Sequence, residues 1–388
     1  MIMKKDSSPR NSLSALVLYA VILLGYLWQY FSGWKLLTYW GIDVERNFSD
    51  FHLTWRQLVC GFREYPEATF DCVNLNSKYI YGNILAHISQ FSFIDPVIDV
   101  FALISVVASF LILTYFLITY LPTPGLAKII IVLILISPPV QLLVQRGNID
   151  IHLTALLAVA VILINNGKIF FGFVFICVAT LVKFYALPVV IFYSIKYTVE
   201  RKRFWLAYLC SAFVVAVYCF LNYSSVMSSI PSPNWAAFGF RNTAYWLDFI
   251  IPGDLKFSQV ILIILMTAIY FLARAKLFDS TFINLEESHT SILLVFGTLF
   301  LLVYFSGSNF DYRLIILDIV GIAIVGTPNL FARCQIYWVS ILSLVLINYL
   351  SFNTNGYLQA FGDLLIAFWA VWLIALSPPL IRRLRAES

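Results

Sequence analysis

Apolar residues along this chain arrive in long blocks, not in the alternation of a half-buried strand. Many of the blocks approach or reach the roughly 17 to 25 residues that carry a helix across about 30 Å of hydrocarbon. Several contain Pro or Gly and none shows a two-residue period, which favours helices over barrel strands. The pattern predicts helices at Leu13–Phe31, Val97–Tyr120, Leu126–Val144 and Ile151–Ile164. Two short runs follow, Ile169–Val182 and Ala186–Ile195, then Phe204–Leu221 and Phe257–Leu272. Ser291–Tyr304, Ile315–Val325, Ile336–Tyr349 and Phe361–Ala375 complete the set. The expected fold is an all-α polytopic membrane bundle of roughly 10 to 12 transmembrane helices, one transmembrane domain over 1–388.

Two intervals break the apolar pattern by length. Residues 32–96 form the largest polar region, and 222–256 form the second, rich in aromatics, Ser and Pro. Loops this long usually carry function or are disordered. The two short runs admit two readings, a pair of half-length helices meeting at Lys183 or one long helix kinked at Pro188. Only the pair keeps the basic stretch Lys196–Arg203 on the same side as the other basic clusters.

Composition agrees with the pattern. Hydrophobic residues make up 61% of the chain and charged ones 12%, against about 25% charged in soluble domains. The net charge of +5 does not point to nucleic acid, because many basic residues sit at helix ends. Lys4, Lys5, Arg10, Lys196, Arg201, Lys202, Arg203, Arg382, Arg383 and Arg385 cluster on one side, which the positive-inside rule makes cytoplasmic. Both termini and the two long loops then fall on opposite sides, the loops being non-cytoplasmic. The first run follows Lys4, Lys5 and Arg10 as a signal peptide would, but without a small-residue cleavage site it reads as a retained anchor.

Six cysteines are present. Cys177, Cys210 and Cys219 fall in apolar runs and read as small core hydrophobes. Cys60 and Cys72 share the first outer loop, where a disulfide and two free thiols are both open readings. The histidines, His52, His87, His152 and His289, are scattered, and neither a metal site nor a cofactor motif is expected.

Ionisable residues near a membrane interior are expensive and mark function by default. Asp43, Asp50 and His52 follow the first run. Arg146 and Asp150 stand between the third and fourth, Lys183 between the short pair, and Asp311 and Arg313 before Ile315–Val325. All belong to the non-cytoplasmic face under the charge rule.

Four stretches of the sequence carry a resemblance. They are Ser49-Asp50-Phe51 leading to Gly61 and Tyr65, Tyr79-Ile80-Tyr81-Gly82, Arg146-Gly147-Asn148-Ile149-Asp150 through Asn166-Gly167-Lys168 to Val182-Lys183-Phe184-Tyr185, and Asn309-Phe310-Asp311-Tyr312-Arg313-Leu314. In order and spacing they resemble the glycosyltransferase-C superfamily, in particular glycosyltransferase family 87 with its bacterial polyprenyl-phosphate-mannose-dependent α-mannosyltransferases. The resemblance implies a glycosyltransferase (a hexosyltransferase) of the bacterial plasma membrane and cell envelope. It would move a sugar, mannose among the candidates, from a polyprenyl-phosphate donor to a glycan or glycolipid acceptor on the non-cytoplasmic face.

Such chemistry needs a carboxylate to take the acceptor's proton and cations to steady the departing phosphate. The resemblance makes Asp50 the base, with Asp43 next in line; by their charge Lys183, Arg146 and Arg313 are the candidate phosphate-binding cations. His52, Asp150 and Asp311 are possible substrate contacts. The plainer readings are a solvated carboxylate or helix cap for Asp50 and Asp150, interfacial snorkelling for Lys183 and Arg146, and a local pair with Asp311 for Arg313. Trp235, Tyr245 and Trp246 serve sugar stacking and interfacial anchoring equally well. A lipid-linked-glycan flippase or transporter is the rival class, with a glycan polymerase using similar residues as a third.

Overall fold

The computed structural model describes residues 9–39, 47–62, 90–120, 125–183, 186–200, 205–221, 237–251, 253–277, 291–305, 309–310, 313–325, 336–350 and 355–387. Among them the chain is helical apart from one two-residue antiparallel pairing, β1 (Ala237–Phe238) against β2 (Asn309–Phe310). Most apolar runs of the sequence are helices with nearby bounds. They include α1 (Pro9–Phe31), α4 (Ile98–Tyr115, continued by a wider turn to Tyr120), α7 (Ile149–Asn165) and α8 (Ile169–Val182).

Three described helices are long and apolar enough to cross a membrane: Phe93–Tyr120, Leu255–Leu272 and Gly356–Ala375. Lys128–Leu135 with Pro138–Arg146 makes a fourth as a bent pair, and seven further apolar helices have 10–17 residues. The outer surface is itself apolar. Val260, Ile263, Ile264 and Phe271 on α12 (Leu255–Leu277) are all more than half exposed, as are Leu24, Trp28 and Phe31 on α1. A water-facing helix would carry polar residues there.

Four local features depart from the pattern-based expectation. Ser49–Phe62, inside the expected loop 32–96, is a helix, α3, preceded by the single turn α2 (Lys35–Tyr39). Trp55, Leu58 and Val59 recur at helical spacing on α3 and are buried. Phe240–Ile250, inside the expected loop 222–256, is the helix α11, which packs on the C-terminal helix α16 (Gly356–Glu387). That last helix is longer than the expected Phe361–Ala375.

The fourth departure is the expected span Leu126–Val144, which is two helices, α5 (Gly125–Leu135) and α6 (Pro138–Arg146), bent by 51°. Ser137 caps α6 in position and Pro138 opens it, where a missing N–H costs nothing. Carbonyls around the break are met by side chains: Leu133 by the Tyr349 hydroxyl, Ile134 by the Ser137 hydroxyl, Leu135 by the Tyr26 hydroxyl and Ile136 by the Gln141 amide. A break within a hydrocarbon-deep helix requires such partners.

The short runs are two separate 14-residue helices, α8 and α9 (Leu187–Glu200), interrupted at an extended Lys183. Cys60 is disulfide-bonded, which settles its state against a free thiol; Cys72 lies outside the described residues, as do Asp43, Tyr79–Gly82 and Trp235.

Candidate active site

The site is assembled on the turn between α6 and α7. Helix α6 ends at Gly147, whose left-handed backbone (φ +59°) lets its N–H bond to Val144 O and the Asn148 N–H to Leu143 O. This is the Schellman closure, which favours glycine. A Cβ at Gly147 would also meet Phe48 Cδ1 at 3.1 Å and Phe51 Cβ at 3.3 Å, so the missing side chain admits the start of α3. Phe48 is itself left-handed (φ +60°), a conformation costing about 1–2 kcal/mol for a side-chain-bearing residue. Burial of its ring and a 2.7 Å bond from its N–H to Gln145 O offset that strain. Two residues later α3 presents Asp50.

Asp50 is held through both oxygens. Arg146 Nε donates to Oδ1 at 2.7 Å and Asn148 Nδ2 donates to Oδ2 at 2.5 Å. Asn148 also caps α7, its Oδ1 accepting from Asp150 N–H at 3.0 Å. Asp150, in the first turn of that helix, is fully buried and also uses both oxygens. Lys183 Nζ donates to Oδ1 at 2.6 Å and Arg313 Nε to Oδ2 at 2.9 Å. Lys183 comes from the α8–α9 break, and Arg313 immediately precedes α14 (Leu314–Val325).

Four segments far apart in sequence thus converge on one cluster of three basic and two acidic side chains. The side chains are mostly shielded, with Lys183 at 8%, Arg313 at 11% and Asp50 at 13% exposure, while Arg146 is more open at 31%. Low effective dielectric strengthens such charge-assisted contacts.

Beside the cluster lies a half-open, almost wholly apolar cavity of about 280 Å³ between α3, α4, α7 and α8. Phe51, Trp55, Leu58, Phe101, Leu153 and Leu156 line it. Its remaining wall includes Gly147, Ile149 and Val182, the sequence neighbours of Arg146, Asp150 and Lys183, and Phe51 itself follows Asp50. The cavity is thus lined by chain neighbours of the charged residues, while the five charged side chains themselves stand outside its lining.

Among the residues singled out from sequence, Asp50, Arg146, Asp150, Lys183 and Arg313 are brought together. His52 instead meets α4, its Nε2 lying 2.8 Å from Asp99 Oδ1. Asp311 lies outside the described residues. Trp246 packs edge-on against Tyr245 and Phe249, and beside Gly356 of α16, which gives it a packing role.

Three residues were given no role by the sequence reading. Asn148 stood there only within the Arg146–Asp150 stretch, and being uncharged it gave no signal under the cost rule for buried charges. Asp318 and Asp363 did carry that signal, each an acidic residue inside an apolar run. Both are fully buried, Asp318 beside Asn348 (2.6 Å) and Asp363 beside Asn242 (2.7 Å). Among the described residues no group of three or more His, Cys, Asp or Glu is arranged to hold a metal ion. Comparison with protein families, with characterised proteins and with solved structures gives no match to this chain.

Proposed function

We propose that this chain is a multi-pass membrane glycosyltransferase that moves a sugar from a polyprenyl-phosphate carrier to a glycan or glycolipid acceptor. The observation that carries the reading is an apolar cavity lined by the chain neighbours of a cation-rich cluster. A polyprenyl-phosphate sugar has the matching form, an anionic head joined to a long apolar chain. Arg146, Lys183 and Arg313 supply cations for the phosphate, and the cavity supplies a place for the first part of the chain. An exposed apolar exterior and the candidate spanning helices support the membrane setting.

In the proposed reaction the acceptor hydroxyl oxygen forms a bond to the sugar's anomeric carbon. The bond from that carbon to the phosphate oxygen breaks, and its electron pair leaves with the polyprenyl phosphate. Asp50 takes the hydroxyl proton. Arg146 occupies one of its oxygens, so transfer of Arg146 towards the arriving phosphate would free that oxygen for the proton. The cations stabilise the charge that builds on the leaving phosphate.

The basic clusters support a cytoplasmic location for both termini, and with it a site on the non-cytoplasmic side of a bacterial plasma membrane. Roughly 10 to 12 spanning segments complete the proposed topology, the shorter apolar helices serving as spans within the bundle. Membranes containing the protein, incubated with a panel of radiolabelled polyprenyl-phosphate sugars and endogenous acceptors, should transfer label from at least one donor. Failure across the panel would remove the reading.

A flippase or transporter for lipid-linked glycans is the second reading, favoured by Asp318 and Asp363. Buried carboxyls inside apolar helices are a recurrent feature of proton-coupled pathways.

A further inference from the structure

The geometry points to Asn148 as the residue that positions the Asp50 carboxylate and couples it to the phosphate-binding cations. The inference rests on the transferase reading above and gives a role to a residue that the sequence analysis named only as part of a motif.

One carboxamide links the two halves of the site. Its oxygen accepts from the Asp150 backbone N–H at 3.0 Å, and its nitrogen donates to Asp50 Oδ2 at 2.5 Å. The orientation of the amide is fixed by these partners. A flipped amide would set its NH2 against a backbone N–H and its oxygen against a carboxylate, both repulsive. Asn148 is only 2% exposed, its backbone is extended (φ −64°, ψ 142°) as an N-cap requires, and its own N–H is taken by Leu143 O. The backbone is therefore held by Leu143 O and the side chain by the Asp150 N–H before it meets Asp50.

The consequence for transfer is a matter of timing. Arg146 and Asn148 hold separate oxygens of Asp50, at 2.7 and 2.5 Å. If Arg146 swings to the donor phosphate, Asp50 loses its ionic anchor yet stays aimed, because the neutral amide still holds Oδ2. A neutral donor orients a carboxylate without depressing its basicity as far as a guanidinium does. The other end of Asn148 sets the first turn of α7, and that turn carries Asp150 with its two cations, Lys183 and Arg313. Base and phosphate cradle are thereby kept in register.

Asn148→Asp separates the two functions of the amide. Aspartate caps a helix as well as asparagine does, so the bond from Asp150 N–H is kept, while the contact with Asp50 becomes carboxylate against carboxylate. The test uses the full-length protein, assayed in membranes with the panel of radiolabelled polyprenyl-phosphate sugars and purified in detergent for thermal unfolding. Asn148→Asp should lower kcat about 10- to 100-fold, the usual scale of a hydrogen bond to a charged group, with a much smaller change in donor KM. The acidic limb of its pH–rate profile should move to higher pH, because the new like charge opposes ionisation of Asp50.

The double variant Asn148→Asp with Asp50→Asn exchanges donor and acceptor across the same contact. It should recover most of the Tm lost by Asn148→Asp, which locates the contact, and stays inactive because the base is gone; the kcat and pH-profile changes of Asn148→Asp are what a purely structural role would not produce. Wild-type kcat and an unmoved pH profile in Asn148→Asp would overturn the positioning role while leaving the transferase reading intact. A wild-type protein that transfers no sugar from the panel would overturn the transferase reading and this role with it.

Discussion

The Lys183 ammonium lies 2.6 Å from Asp150 Oδ1, and both side chains are buried, Asp150 completely. Taking two such charges out of water is costly, and the pair is stable only because each has a partner. Asp150 also receives Arg313, so it is the hub and Lys183 one of two spokes. Asp150→Ala should therefore be the more damaging change, lowering stability by about 3–5 kcal/mol as expected for breaking a buried pair. Lys183→Ala leaves Asp150 its Arg313 partner and should cost clearly less. Thermal unfolding in detergent gives the ranking, and equal losses in the two variants would contradict the hub arrangement.

Asp50→Asn tests the base directly. The amide is nearly isosteric and can still accept from Arg146 through its oxygen, but its NH2 then meets the Asn148 NH2, so transfer is read beside Tm at a temperature where the variant is folded. Transfer should fall by roughly 10²- to 10⁴-fold, the range expected on losing a general base. Arg146→Lys keeps the charge but replaces a planar, multi-donor group with a point charge. Its effect should appear chiefly as a raised donor KM. Full transfer activity in Asp50→Asn would remove the assignment of the base.

The sequence made the charged members of this cluster legible for a physical reason. Lys183 and Asp150 stand at the edges of apolar runs, where an ionisable group needs a compensating partner. What those partners were could not be read, since Asp50 and Arg146 are 96 residues apart and Asp150 and Arg313 are 163 apart. The same cost rule applied to Asp318 and Asp363, which lie inside runs whose overall hydropathy masks a single carboxyl. The break at Ser137-Pro138-Pro139 had its own signal in the prolines, but the apolar residues on either side read as one span. Helix α3 was hidden differently: Trp55, Leu58 and Val59 mark a helical face, yet they cover too few turns to stand out in a long polar interval.

Gly147→Ala probes the junction that delivers Asp50. The alanine would have to adopt φ near +59°, at a cost of about 1–2 kcal/mol, and its methyl group would press on Phe48 and Phe51. Relief of that pressure would displace the start of α3, which carries Asp50. Loss of transfer should therefore exceed what the drop in Tm explains at the assay temperature. A variant with reduced Tm and wild-type kcat would show that α3 holds its place without the close approach.

Ser105 faces the apolar cavity from α4, its hydroxyl bonded back to Ala102 O at 3.0 Å. Ser105→Phe should partly fill the 280 Å³ space without touching the charged cluster. If the carrier's chain occupies the cavity, donor KM should rise about tenfold, equivalent to roughly two methylenes left unburied. A donor truncated to a single prenyl unit should show a smaller rise. Equal changes for long and short carriers would place the chain elsewhere.

Asp318→Asn and Asp363→Asn separate the enzyme from the transporter. Each carboxyl is fully buried and receives one amide hydrogen bond, from Asn348 and Asn242 respectively, and the second oxygen of each has no partner among the described residues. An asparagine at either position can accept that same bond through its carbonyl but can no longer bind and release a proton. Neither residue belongs to the transfer cluster, so both variants should keep transfer within about threefold, the scale of a retained hydrogen bond. A proton-coupled flippase would instead depend on one of them. The decisive measurement is made in proteoliposomes carrying a fluorescent lipid-linked sugar, with and without a pH gradient, alongside the transfer assay. Transfer without transbilayer movement, in the wild type and in both variants, supports the enzyme. Gradient-driven movement by the wild type that disappears in either variant would make the chain a transporter and Asp318 or Asp363 its proton site.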